Sequence, residues 1–166
     1  ESGASLVFIT CHRQPIEIGF GADDLLLIGL DTGAEPVAGS TRLKAATATH
    51  RLLQRASTIC ALRNGWIHRG RMVALKASNA KLRRRAVTIV SDLTDLSRTE
   101  AEHAISVCDG DLRLAIATSW LSGDRKKAQH ALEGVLGHLG HLEQQIRAAG
   151  GVIPDPERLA GSVDRP

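Results

Sequence analysis

The sequence predicts an α/β chain on three observations: two short apolar runs near the start, a switch to helical periodicity after Asp31, and a series of capped short helices from Leu96 onward. Ser5 to Thr10 (SLVFIT) and Asp24 to Asp31 (DLLLIGLD) are near-continuous in apolar residues and are separated by Pro15, Gly19 and Gly21. Such runs read as strands buried on both faces, as in parallel sheets. Two strands by themselves leave edges and faces without partners, so the other half of an α/β domain is expected ahead of Glu1.

The loop TGAEPVAGS ends at Ser40, a good N-cap residue, and Leu43, Ala46, Leu53, Ala56, Ile59, Cys60 and Leu62 form an apolar stripe toward Asn64 and Gly65. This predicts a first long helix over about 41–63. A second is expected from Arg69 or Arg71 to Leu93, with Met72, Val73, Leu75, Leu82, Ala86, Ile89 and Val90 inward. Ser97 with Glu100 at capping-box distance, Gly110 with Asp111, and Gly123 with Asp124 each open a short helix, giving a three-helix unit followed by a helix ending near Gly150. Pro154, Pro156 and Pro166 mark the remainder as irregular. The expected organisation is 1–93, 94–150 as a small helical domain, and 151–166 as a tail.

Composition narrows the functional classes. With 166 residues, 43% hydrophobic and 23% charged, the chain can build a sizeable core and is neither a disordered tail nor a coiled coil. Cys11, Cys60 and Cys108 are odd in number and lack metal-like spacing, which excludes a disulfide framework or zinc ribbon and suits a reducing cytoplasm. The longest apolar run, Leu25 to Leu30, is far below the roughly 20 residues of a membrane span. Charge is unevenly placed: residues 41–90 hold twelve Lys and Arg and no acid, leaving nine bases and all 18 acids elsewhere. Such a segment is either a solvated helix face or the surface for an anionic partner, whether nucleic acid, acidic protein or a small phosphate.

Two stretches could bind that anion. Gly39 to Lys44 (GSTRLK) opens a helix after a strand and loop, where free amides, the hydroxyls of Ser40 and Thr41, and the charge of Arg42 suit a phosphate; the alternative is an ordinary Ser cap with basic neighbours. In Ser78 to Arg85 (SNAKLRRR), Lys81 and Arg85 share a helical face and repel unless an anion or a carboxylate lies between them; the alternative is a solvated basic face. The chain has no Tyr and few other aromatics, so base-stacking platforms are scarce and nucleic acid is a poor candidate. His138 and His141 lie three apart, but no His-Glu-x-x-His motif accompanies them, and neither a metal nor a nucleophile signature is indicated.

Taken together, Gly33 and Glu35 running into GSTRLKA, a long helix, and ALKASNAKLRRRAVTIV (Ala74 to Val90) resemble the N-acetylmuramic acid 6-phosphate etherases of the sugar isomerase (SIS) superfamily. The helical stretch LSRTEAEHAISVCDGDLRLAIATSWLSG looks like the small domain that follows SIS in that family, a three-helix, UBA-like unit. The resemblance implies the C-terminal half of a SIS-type sheet domain with its long helices, in a cytoplasmic homodimer. The family cleaves the lactyl ether of N-acetylmuramic acid 6-phosphate by elimination and water addition, giving N-acetylglucosamine 6-phosphate and D-lactate without cofactor or metal. Residue by residue, Ser40, Thr41 and Arg42 match the turn contacting the sugar phosphate, and Asn79, Lys81 and Arg85 the basic helix reaching the same ligand. The two catalytic glutamates of the family belong to the half expected upstream of Glu1, so no catalytic residue is assigned here and the segment alone is expected to be inactive. Ala34 replaces the usual Pro, Ala46 the usual Gly, and Arg63 to Arg71 is more basic than usual. These departures leave a non-catalytic phosphosugar sensor, like the related glucokinase regulatory protein, as the alternative.

Overall fold

The computed structural model describes residues 6–11, 25–40 and 42–154, and the chain divides into two compact units, Glu1–Ile59 and Cys60–Pro166. Expectations that fall on 1–5, 12–24, 41 and 155–166, including the Pro15–Gly21 break, the role of Thr41 and most of the tail, lie outside the described residues.

In the first unit the two apolar runs form β1 (Leu6–Thr10) and β2 (Leu25–Gly29). They pair in parallel, Leu6 opposite Leu25 and Thr10 opposite Gly29, as the unbroken apolar pattern predicts. The backbone amide of Leu30 continues the ladder by donating to Thr10 at 2.8 Å. Burial on both faces does not follow: Val7 and Leu26 are more than half exposed, and Leu6, Phe8 and Leu27 are also exposed. The alternating faces of a two-stranded ribbon need a layer on each side, and the described residues of this unit supply none over these side chains.

Helix α1 spans Lys44–Arg63, three residues shorter at its start than expected. Ser40 therefore lies ahead of the helix instead of capping it. The expected apolar stripe is another correction, because Leu43, Leu53, Ile59 and Leu62 are all about half exposed and Ala61 is the helix's one buried residue among those described.

In the second unit, the end of α1 is followed by a hairpin where a helix was expected. Strands β3 (Ile67–His68) and β4 (Arg71–Met72) pair antiparallel across Arg69 and Gly70, at φ 46° and 73°. Two successive positive φ values define the type I′ geometry whose twist matches a tight hairpin. The amides of Val73 and Ala74 both donate to the Trp66 carbonyl, at 2.8 and 3.3 Å, and hold the chain extended beyond β4. The second long helix expected from Arg69 or Arg71 is thus replaced by this hairpin and an extended run. Helix α2 covers Ala80–Thr94 only. Its inner face is the expected one, with Ala86, Ile89 and Val90 buried, whereas Val73 reaches the same core from the extended segment.

Helices α3 (Arg98–Val107), α4 (Leu112–Trp120), α5 (Arg125–Gly134) and α6 (Leu139–Ala148) follow. Ser97 and Glu100 form the expected capping box, and Asp111 and Asp124 cap α4 and α5. One connection recurs: Asp109-Gly110, Ser122-Gly123 and Leu136-Gly137 each place two residues at positive φ immediately before the next N-cap. The third ends in His138, whose side chain makes no cap hydrogen bond.

Helix α2 packs on α3 and α4, and α4 packs on α5 and α6, around Leu93, Leu112, Ile116, Leu139 and Leu142. Full burial of each such side chain contributes about 1.5–3 kcal/mol relative to exposure. Trp120 is buried among them, and its indole N–H donates to the Leu93 carbonyl at 2.9 Å, satisfying the one polar atom of the ring.

Candidate functional site

In α/β sheets, ligands collect beyond the carboxyl ends of the strands, and the loop from Asp31 to Leu43 leaves from that end of β2. Gly33 donates its amide to the Asp31 carboxylate at 2.9 Å, turning the chain, and the Ser40 amide donates to the Val37 carbonyl at 3.1 Å. Glu35 fastens the loop to the helix: one carboxylate oxygen accepts from the Lys44 amide at 2.8 Å and the other from the Ala45 amide at 3.1 Å. These backbone donors, that of Lys44 first, hold the Glu35 carboxyl below its ordinary value. At the end of β1, the Cys11 thiol reaches the Ala45 carbonyl at 3.6 Å and the Thr49 hydroxyl at 3.5 Å.

Glu35 changes what this turn can do. Two of the amides expected to be free at the helix start, those of Lys44 and Ala45, donate to a carboxylate instead. Among the described residues, the half-buried Ser40 and the exposed Arg42 lie just ahead of the helix.

The second group sits at the start of α2. Asn79, extended at φ −141°, accepts the Leu82 amide on Oδ1 at 2.9 Å and so caps the helix, leaving its NH2 as the donor for a ligand. Lys81 and Arg85 are exposed one turn apart, with no acid in the first turn, and no described carboxylate lies within ion-pair distance of either. Lys81, in the first turn, opposes the macrodipole, and like charges at this spacing repel. An anion seated between them relieves both. Asn79, Lys81 and Arg85 fall within the cap and first two turns of α2, and Ser40 and Arg42 belong to a loop of the other unit.

A polar cluster unseen in the sequence lies in the second unit. Glu143 on α6 accepts from Arg69 through Nε at 3.1 Å and Nη2, and from Arg147 Nε at 2.8 Å, while His68 Nε2 stands 3.3 Å away. Arg69 also donates to the Pro154 carbonyl at 3.3 Å, and Arg147 to that of Ile153 at 3.4 Å. Burial pushes the Glu143 carboxyl up, but hydrogen bonds from Arg69 and Arg147 and the nearby positive charges outweigh it, so the group stays below its ordinary value. His68 is buried edge-on against Trp120, with ring centroids 5.6 Å apart; burial lowers its basicity more than Glu143 restores it. This arrangement ties the β3–β4 hairpin and the chain at Ile153–Pro154 to α6. The only advance signal was opposite charge at Glu143 and Arg147, four residues apart.

His138 and His141 stack with centroids 4.8 Å apart. Among the described residues, no three His, Cys, Asp or Glu side chains are grouped to hold a metal ion, and no helix is long and apolar enough to cross a membrane.

No protein-family model matches the chain. Curated relatives do. An N-acetylmuramic acid 6-phosphate etherase from Thermobifida fusca is 41% identical over 116 residues, covering 70% of this chain and 37% of that protein. One from Picosynechococcus sp. is 36% identical over 149 residues, 89% of this chain and 47% of that protein. N-acetylmuramic acid 6-phosphate etherase 2 from Bacillus licheniformis is 37% identical over 145 residues, 87% and 48%. The chain thus spans less than half the length of these relatives.

Proposed function

The chain belongs to the family of the N-acetylmuramic acid 6-phosphate etherases, and from that premise we propose that it supplies the phosphosugar-anchoring, C-terminal portion of a lyase that releases D-lactate from N-acetylmuramic acid 6-phosphate. The observation that carries the reading is helix α2, where Lys81 in the first turn and Arg85 one turn further on have no carboxylate among the described residues to neutralise them, and where Asn79 caps the helix start. A phosphate dianion suits two cations and an amide donor. The family resemblance assigns phosphate contact to Ser40, Thr41 and Arg42 as well, and this assignment stands as part of the proposal.

General acid/base work on the lactyl ether needs carboxylates with access to the substrate. Glu35 is occupied by the helix it caps, and Glu143 by its arginines. The catalytic glutamates therefore come, in this proposal, from the portion of the relatives that this chain does not match, and the chain's own contribution is to hold the phosphate so that the ether is presented to them. In the same reading residues 1–93, with β1, β2, α1 and α2, are the C-terminal part of a SIS-type domain, α3 to α5 are the UBA-like unit, and the protein is a cytoplasmic homodimer of amino-sugar and peptidoglycan recycling without a cofactor.

The test is made in the parent-length protein. Lys81→Ala and Arg85→Ala each weaken phosphosugar affinity by about tenfold or more, the loss of one charge-assisted bond. Unchanged affinity in both variants overturns the anchoring assignment. Binding that persists in the unmodified protein without lactate release replaces the lyase with a sensor.

A further inference from the structure

Helix α2 carries two further arginines that the phosphosugar anchor leaves unused. At 3.6 residues per turn, Arg83 and Val87 lie roughly 120–160° around the helix from Lys81 and Arg85, and Arg84 lies between the two faces, roughly 60–100° from them. They face a cleft of about 440 Å³ between α2 and α3, whose other wall includes Arg98, Thr99 and Glu102. That volume is within the roughly 300–1,000 Å³ range of small-molecule sites.

The cleft holds an excess of positive charge, unlike the paired arginines elsewhere in the unit. Arg69 and Arg147 have Glu143, Arg71 has Asp92, and Arg125 has Asp109. Arg83, Arg84 and Arg98 have no described carboxylate within ion-pair distance. Glu102 lines the same cleft without pairing, and Glu100 is turned away into the capping box with Ser97. Three guanidiniums against one carboxylate leave the cleft at +2. With no aromatic ring in its lining there is no platform for a base, so a compact dianion fits better than a nucleotide.

We propose that the α2–α3 cleft formed by Arg83, Arg84, Arg98 and Thr99 is a second anion site, one that takes a phosphate group independently of Lys81 and Arg85. Guanidinium forks suit phosphate oxygens, and the Thr99 hydroxyl, 3.1 Å from that of Ser97, is an added donor when Ser97 supplies the proton of that pair. The source of the phosphate is either the free inorganic ion or a hexose phosphate ester.

Amide NMR of the 166-residue chain titrated with inorganic phosphate at constant ionic strength reads the site. Saturable shifts at Arg98 and Thr99 are expected, and they persist in the Lys81→Ala/Arg85→Ala variant, which separates this site from the anchor. In Arg84→Gln/Arg98→Gln the affinity falls by roughly tenfold or more. Glu102→Gln, which removes the opposing charge, tightens binding several-fold, so the proposal stays testable even if the double arginine variant folds poorly. Glucose 6-phosphate saturating at lower concentration than phosphate identifies an ester as the source, and the reverse order identifies the free ion. Shifts that never saturate, or that vanish in Lys81→Ala/Arg85→Ala, or that Glu102→Gln leaves unchanged, overturn the site.

Discussion

Replacing Glu143 with Gln keeps the shape of the side chain and removes its charge, which isolates the electrostatic part of the clamp on α6. Three cationic or potentially cationic groups meet this carboxylate: Arg69, Arg147 with Nε at 2.8 Å, and His68 with Nε2 at 3.3 Å. Each charge-assisted bond contributes about 1.5–3 kcal/mol, but bonds sharing one acceptor do not add. Breaking a buried pair costs about 3–5 kcal/mol. The Glu143 and Arg69 side chains are only 13% and 20% exposed, whereas Arg147 is 47% exposed and screened by water. The expected loss is therefore about 2–3 kcal/mol, less than a fully buried pair and more than a surface one. Urea unfolding followed by tryptophan fluorescence measures it, because Trp66 and Trp120 both lie in the second unit. A loss below about 0.5 kcal/mol would refute the clamp, since substitutions at uncommitted surface sites fall in that range. A cycle with Arg69→Gln should return a coupling of about 1 kcal/mol or more if the two residues act as a pair.

Stability of the second unit should fall as pH drops, and both titrating groups of the cluster act in the same direction. The folded value of His68 is lowered, so its contribution is complete above the ordinary histidine value of 6.5 and is lost as pH falls through the folded value; Glu143, also lowered, contributes above its ordinary 4.5 and is lost at lower pH still. Thermal melts of the chain and of His68→Phe across pH 8 to about 3 check this: the variant should lose the upper limb and keep the lower. Gly65→Ala should destabilise by more than about 1 kcal/mol, because the new Cβ would lie 2.8 Å from the His138 ring at a backbone φ of +66°; chemical denaturation reads it, and a neutral outcome would contradict the close approach. Glu35→Gln should fray the first turn of α1, seen as faster hydrogen exchange at the Lys44 and Ala45 amides, and acidification through the lowered Glu35 value should do the same to the unmodified chain. Unaltered exchange at both amides would show that the loop does not depend on this carboxylate.

The sequence was legible where one local signal dominated. Unbroken apolar runs placed β1 and β2 and their parallel pairing, and Ser97, Asp111 and Asp124 placed the starts of three helices through side-chain oxygens that have little else to do. It misled where two patterns coincide. Met72, Val73 and Leu75 fit a helical stripe continuing into Leu82 and Ala86, yet the type I′ turn at Arg69-Gly70 and the cap at Asn79 divide that stretch into hairpin, extended run and helix. An Arg-Gly pair carries far less hairpin signal than Asn-Gly, so nothing local announced the turn. The basic character of the candidate site was visible as the acid-free stretch from 41 to 90. Its division was not, because whether Glu35 fills a helix end, or Arg83 faces away from Lys81 across a cleft, depends on contacts between residues distant in sequence.

Arg69 faces two demands that conflict. Its backbone occupies a left-handed turn that glycine would adopt more easily, while its guanidinium joins Glu143 to the Pro154 carbonyl. Glycine there relaxes the bend and severs both ties, and a shorter side chain keeps the strain without the reach. Few substitutions can satisfy the turn and the tether at once, so the position has little freedom to drift by single changes, and the hairpin, α6 and the chain beyond it must vary together or not at all.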